Sequence, residues 1–458
     1  MKYSALSRTK TLIFFIVFFA LVLGLKLFWV QVVYSSTYIE QANRQYATPS
    51  DSIYERGTIF FTRKDNTQVS AAMQTTGFKV AINTAKILDA EDVYKKISEV
   101  TPLKYEDFIA KANKKNDPYE ELAVHLSKEQ ADQIAAFKLA GVSIFKEKWR
   151  FYPGDSLASH TLGFVGFKGN VLAGRYGLER YYNDELSRNK DNPYINFFAE
   201  VFSNINEAFF DDETREGNVV TSIEPSVQSL LENKLNEVGE MYQADSVGGI
   251  IMDPMDGSIY ALAVKPDFNP NEFGKVKKVS IFSNPLVENV LEFGSVVKPL
   301  VMAAALNEGV VTANTSYNDK GSVMVEKKEI FNFDKKGRGP GTTMQDVLNQ
   351  SLNTGMVLVE QKLGRENLRN YLLSYGLKDK TGIDLPNETS GLVSNILTSP
   401  REIEYANAAF GQGVAFTPVE LVRALASLSN GGSLVVPHIV RQIKYDDGKY
   451  KNITYDTV

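Results

Sequence analysis

Cysteine is absent from the 458 residues, and only three histidines and two tryptophans occur. Without cysteine the chain forms no disulfide, carries no thiol nucleophile and offers no cysteine zinc site. His125, His160 and His438 are widely spaced and are expected to be structural rather than ligands. A histidine-based triad therefore has little to draw on, and no metal or organic cofactor is indicated. Fifty basic residues face 55 acidic ones, a net charge of −5, and no long basic run occurs. That balance argues against a nucleic-acid partner. Internal repeats and low-complexity segments are also missing. What remains is 43% hydrophobic and long enough for two or three domains with real cores.

The longest apolar run lies at the N-terminus. Lys2, Arg8 and Lys10 precede residues 12–25, which are apolar throughout, and after Lys26 the run resumes to Tyr34. A membrane span needs about 20 residues, which 12–34 supplies if Lys26 snorkels. Basic residues ahead of the run predict a cytoplasmic tail (1–10), a single-pass anchor in the cell membrane (11–34) and an extracytoplasmic remainder. Val33-Tyr34-Ser35 is a weak cleavage site, so the expectation is an uncleaved anchor.

Beyond it, residues 35–48 read as helical up to Pro49. Arg56-Gly57-Thr58-Ile59-Phe60-Phe61 and residues 77–82 read as strands. Residues 90–139 read as charged and helical, with most charges on solvated faces. Residues 187–216 are polar and aromatic without a clear period, and a domain boundary is expected at Glu216-Gly217. After it, 219–223 reads as a strand and Pro225 opens a helix to about Val238. Residues 246–252 and 258–264 read as a hairpin about the turn Asp253-Pro254-Met255-Asp256-Gly257. Helices follow near 343–350, 355–363 and 365–375. Thr417-Pro418-Val419-Glu420 is a capping box with proline at the first helical position. Helices around an early hairpin predict an α+β fold.

Gly294-Ser295-Val296-Val297-Lys298-Pro299 sets a serine and a lysine on one helical face. A serine hydroxyl is a weak nucleophile until a base takes its proton, and a lysine whose pKa is lowered by burial can be that base. Ser-x-x-Lys occurs four times, at Ser7/Lys10, Ser143/Lys146, Ser187/Lys190 and Ser295/Lys298. Only Ser295 opens an apolar helix, through Leu306 and stopping at Gly309. Pro299 falls in its first turn, where a missing N–H costs least. Taken locally, the stretch reads equally well as a helix start with a polar cap. Gln350-Ser351-Leu352-Asn353-Thr354 lies between two predicted helices. Its hydroxyl could relay protons and its amide could grip a substrate amide, although alone it reads first as a helix-cap pair.

Ser-x-x-Lys followed by Ser-x-Asn resembles the penicilloyl-serine transferases. Flanking residues narrow the resemblance to class B penicillin-binding proteins of the division type, the FtsI-like peptidoglycan D,D-transpeptidases. Glu292 to Pro299 looks like that family's nucleophile segment. Residues 251–261 look like its first hairpin, and Phe410-Gly411-Gln412-Gly413 like a bend before a later helix. Arg56-Gly57-Thr58-Ile59, Leu157-Ala158-Ser159-His160 and Gly177-Leu178-Glu179 are similar to its N-terminal pedestal. The resemblance implies an elongated α+β pedestal (35–216) and a β-lactamase-like transpeptidase domain (217–458). Ser295 would be the nucleophile, Lys298 the general base, Ser351 the proton shuttle and Asn353 the substrate-amide binder. The backbone N–H of Ser295 would be one oxyanion donor. The substrates implied are stem peptides, cross-linked through an acyl-serine in septal wall synthesis, and β-lactams would acylate the same serine. Implied partners are the membrane, a polytopic glycan polymerase and other divisome proteins.

The family's third motif is Lys-Thr-Gly. It occurs once, at Lys380-Thr381-Gly382, 27 residues after Asn353, in a loop-like setting without strand alternation. It is therefore expected to be a look-alike. The sequence ends at Val458 with no other copy, so the expectation is a chain cut short before the third motif. Such a chain lacks the later strands and is inactive or impaired. The alternatives are a non-catalytic membrane-anchored divisome scaffold, or another penicilloyl-serine enzyme such as a carboxypeptidase or β-lactamase.

Overall fold

The computed structural model describes residues 14, 17–19, 21–23, 26, 55–115, 117–168, 171–188, 217–445 and 447–457. They gather into two compact units, one centred on 75–149 and the other on 55–74, 150–188 and 217–457. Strands β1 (Ile59–Thr62) and β2 (Gln68–Ile82) open the described chain, and β2 contributes its first half to the larger unit and its second half to the smaller.

In the smaller unit, α1 (Ala90–Ser98) and α2 (Tyr105–Ala112) precede β3 (Glu120–Leu126), α3 (Lys128–Ala136) and β4 (Val142–Phe151). Helix α1 forms because Asp89 caps it through the amides of Glu91 and Asp92, and Val93 and Ile97 share its buried face. Ser127 and Gln130 make a capping box on α3. Val80, Phe108, Leu126 and Ile134 join Val93 and Ile97 in one core. Strand β3 interrupts the stretch expected to be helical. Its two glutamates are part-buried while Val124 and His125 are exposed, so no apolar alternation marks it, and it is the pairing to β2 that makes it a strand.

The larger unit continues with β5 (Val165–Lys168), β6 (Val171–Gly174), α4 (Gly177–Tyr181), β7 (Gly217–Thr221) and α5 (Pro225–Tyr242). Strand β1 runs parallel to β7, with Ile59 opposite Val219. The hairpin β8 (Val247–Met252) and β9 (Ile259–Lys265) pairs Ile250 with Leu262. Helix α5 is pinned to it by the buried Gln228, whose amide donates to Leu262 O and accepts from Leu262 N–H.

Then come α6 (Lys298–Asn307), β10 (Ser316–Asp319), β11 (Ser322–Val325), β12 (Lys328–Phe331) and β13 (Gly339–Thr343). They are followed by α7 (Met344–Asn349), α8 (Asn353–Leu363), α9 (Arg365–Ser374), α10 (Glu402–Ala408) and α11 (Pro418–Ala426). Helix α6 is apolar on every side, the mark of a helix enclosed by others. Leu300, Val301 and Ala304 pack in one core with Met356 and Val357 of α8 and Leu372 of α9. Thr417 and Glu420 form the expected capping box on α11. The described chain closes on β14 (Val440–Tyr445), antiparallel to β7, and β15 (Tyr450–Asn452).

The sequence reading is corrected at the N-terminus. The expected anchor at 11–34 and the helix at 35–48 lie for the most part outside the described residues. Among the described residues no helix is long and apolar enough to cross a membrane. A span requires about 20 apolar residues in one continuous helix. The single-pass membrane topology, the membrane as a partner, and contacts made through the anchor are therefore set aside. The α+β architecture itself agrees with the expectation.

Candidate active site

The nucleophile segment is gripped from behind. Leu291 and Phe416 exchange backbone hydrogen bonds of 2.8 and 3.0 Å, and Gly294 N–H donates to Gly411 O at 3.1 Å. A Cβ on Gly411 would sit 2.1 Å from Gly294 O, and Gly411 itself has φ +79°. Only glycine fits there, which gives the Phe410-Gly411-Gln412-Gly413 bend its role: it holds the turn ahead of Ser295. Residues Gly294–Val297 form a single 3-10 turn that runs into α6 at Lys298. Ser295 is exposed. Among the described residues no hydrogen bond is made by its hydroxyl.

Lys298 is 2% exposed. Its Nζ donates to Ser351 O at 2.7 Å, Ser351 Oγ at 3.0 Å and Asn353 Oδ1 at 2.8 Å. One amine thus joins two motifs more than fifty residues apart. Burial pushes the Lys298 amine down to about 8. The three acceptors are neutral, so the ammonium is hydrogen-bonded without being held by a counter-charge. Ser351 reaches the amine with both carbonyl and hydroxyl from the turn between α7 and α8, where its φ is +54°. A non-glycine residue there carries backbone strain of about 1–2 kcal/mol. Asn353 opens α8, and its Nδ2 donates to Phe331 O at 2.9 Å, leaving one N–H uncommitted.

The structure thus brings Lys298, Ser351 and Asn353 into direct contact and sets Ser295 one helical turn before the amine, without a bond between them. Chemically, an exposed hydroxyl, a lysine able to lose its proton near neutrality and a second hydroxyl form a proton-transfer chain. Sequence reasoning singled out the bend containing Gly411 without its partner Gly294, and it missed Phe331. Phe331 acts through its backbone oxygen, which leaves no residue-type signature.

Lys380-Thr381-Gly382 is not on a strand. The Thr381 hydroxyl and N–H both donate to Glu388 Oε1, at 2.6 and 2.5 Å, and Gly382 N–H donates to Glu388 Oε2. The tripeptide is consumed within its own loop. One serine does meet a histidine, Ser258 Oγ lying 3.1 Å from His438 Nε2. Ser258 is 1% exposed, and the other ring nitrogen of His438 meets Val436 O, so the pair has neither substrate access nor a carboxylate to orient it.

Comparison with known proteins gives two family matches. Residues 247–457 match the family model "Penicillin binding protein transpeptidase domain", and residues 54–199 match "Penicillin-binding Protein dimerisation domain". Stage V sporulation protein D of Bacillus subtilis is 33% identical over 321 residues, covering 69% of this chain and 49% of that protein. Peptidoglycan D,D-transpeptidase FtsI of Buchnera aphidicola is 25% identical over 431 residues, covering 93% and 73%. A crystal structure of penicillin binding protein 2X from Streptococcus thermophilus superposes with a TM-score of 0.67 at 21% identity, over 89% of this chain and 63% of that one. At that identity the likeness is one of fold. The chain spans about half the length of the Bacillus subtilis relative.

Proposed function

Because the chain belongs to the penicillin-binding protein family and is by resemblance a serine-type D,D-transpeptidase-like enzyme, we propose that Ser295 carries the acyl group of a peptidoglycan stem peptide during cross-linking. The observation that supports this most is the buried Lys298 amine meeting Ser351 and Asn353. Neutral Lys298 takes the Ser295 proton as Oγ attacks the penultimate D-alanine carbonyl carbon. Lys298 and Ser351 then return a proton to the departing D-alanine amine. An amine of a neighbouring strand attacks the acyl-serine and regenerates the hydroxyl. Asn353 holds the stem-peptide amide, and asparagine at this position favours the division-type, septal role. β-Lactams react at the same serine. In this reading residues 35–216 are the pedestal and 217–458 the transpeptidase domain.

Acylation by residues 1–458 is slow, because Thr381, in the chain's one Lys-Thr-Gly, is already bonded to Glu388. A fluorescent penicillin at high concentration, followed over hours by mass spectrometry, tests both statements. The expected result is a slow adduct on Ser295, lost in Ser295→Ala. Fast labelling of Ser295 would remove the impairment and leave the nucleophile. An adduct elsewhere, or none, would remove the nucleophile assignment.

A further inference from the structure

Behind Asn353 lies a buried polar knot that the reaction described above does not use. Asp319, at the end of β10, is 1% exposed. Its carboxylate accepts from Gly321 N–H at 3.0 Å, Arg338 N–H at 3.1 Å and the Thr354 hydroxyl at 2.9 Å. The Asn332 amide donates to both of its oxygens, at 3.1 and 2.9 Å. Asn332 in turn accepts the Thr354 N–H at 3.2 Å, and the Tyr317 hydroxyl lies 3.0 Å from Thr354 Oγ1.

The first N–H groups of a helix have no partner within it. The residue before α8 is Leu352, whose side chain caps nothing. Asn332 does that work from another element, and its neighbour Phe331 takes the Asn353 amide through its carbonyl. Two successive residues of one chain segment thus set the first turn of α8. Asp319 fixes that segment through neutral donors. A buried carboxylate is expensive to keep unless fully hydrogen-bonded, and this one is bonded on both oxygens. Such a knot fixes orientation more than it adds stability.

We propose that Asp319 and Asn332 are positioning residues of the acyl-transfer centre, setting the first turn of α8 so that Ser351 and Asn353 enclose the Lys298 amine. The proposal rests on the reading of Lys298 as the base. Freed from this enclosure, the amine meets water and loses the burial that now pushes its pKa down to about 8.

The test reads the amine directly, in the full chain labelled with 13Cε-lysine, the Lys298 resonance being identified by its loss in Lys298→Arg. Asp319→Asn is expected to raise the Lys298 titration midpoint by about one pH unit, a tenfold gain in proton affinity. Thr354→Val should move it the same way, and Thr354→Ser should restore the parent value. Leu372→Ala, in the same apolar core, should lower the melting temperature and leave the midpoint in place. The proposal is overturned if the midpoint stays at the parent value in Asp319→Asn and Thr354→Val while their melting temperatures fall as Leu372→Ala does. Should Asp319→Asn fail to fold, the Thr354→Val and Thr354→Ser pair decides alone. The titration needs no acyl donor. Its failure beside Ser295 labelling of the parent chain would sink this inference only, and absence of that labelling in the parent chain beside a shifted midpoint in the variants would sink the transpeptidase reading only.

Discussion

Two buried titratable side chains sit in one apolar core with different consequences. Lys298, pushed down to about 8, is about one-tenth neutral at pH 7 and mostly neutral at pH 9. A base acts in its neutral form, so Ser295 acylation should rise with pH through about 8 and level off above it. Lys298→Arg should lower it at least about a thousandfold, because a guanidinium keeps its proton. A pH-independent rate, or an active arginine variant, would remove Lys298 as the base. Glu360 of α8 is fully buried, neither oxygen has a hydrogen-bond partner among the described residues, and burial pushes its carboxyl up to about 8. The folded state holds this proton while the unfolded state releases it near 4.5. Stability from this group is therefore complete below about 4.5 and falls as pH rises through about 8. Glu360→Gln removes the dependence. Its melting temperature should exceed the parent's by roughly 3 °C or more at pH 9 and match it at pH 5. Equal offsets at both values would show that Glu360 is not protonated in the fold.

At the scale of elements, the site is a junction. The start of α6 supplies the amine, the α7–α8 turn supplies its acceptors, and the bend before α11 holds the nucleophile turn. Gly411→Ala would force its Cβ against Gly294 O while keeping a left-handed φ, a strain of about 1–3 kcal/mol. Relief has to come from the turn bearing Ser295, so Ser295 labelling should fall at least about tenfold while circular dichroism keeps its helical signal. Unchanged labelling would show that the two loops move independently. Much of this was legible in the sequence. The α11 capping box, the β8–β9 hairpin and the start of α6 carry local signals of cap, turn and proline. Strand β3 carries none, because its pairing partner β2 lies about forty residues away. Strands β10–β13, of four or five residues each, pair among themselves and are too short to show an alternation.

Across the larger unit, residues distant in the chain converge on Glu179. Its carboxylate pairs with Arg56 at 2.5 Å and Arg150 at 2.6 Å, and Arg56 also reaches Asn183 and Ser187. Burial alone would push Glu179 up, but the Arg150 and Arg56 guanidiniums beside it hold its carboxyl below the ordinary range. The stability it contributes is present above the ordinary glutamate value and is lost as pH falls through the lowered one. Glu179→Gln leaves two buried guanidiniums without their counter-charge, a cost of about 3–5 kcal/mol. Calorimetry should show the melting temperature falling by roughly 10 °C at pH 7, with a smaller difference in acid. A change within about 1 °C would mean the network is neutral to stability.

By itself the sequence determined the chemistry on offer: no thiol, few histidines, one Ser-x-x-Lys opening an apolar helix, one Ser-x-Asn between helices. Those are properties of residue type and of spacing within a turn, which local physics sets. Only the tertiary structure decided which groups meet. It brought the Lys298 amine to Ser351 and Asn353, bound the lone Lys-Thr-Gly to Glu388, and tied Asn332 and Asp319 to the first turn of α8. Contacts between residues tens of positions apart depend on how helices and strands pack, and no local pattern encodes that.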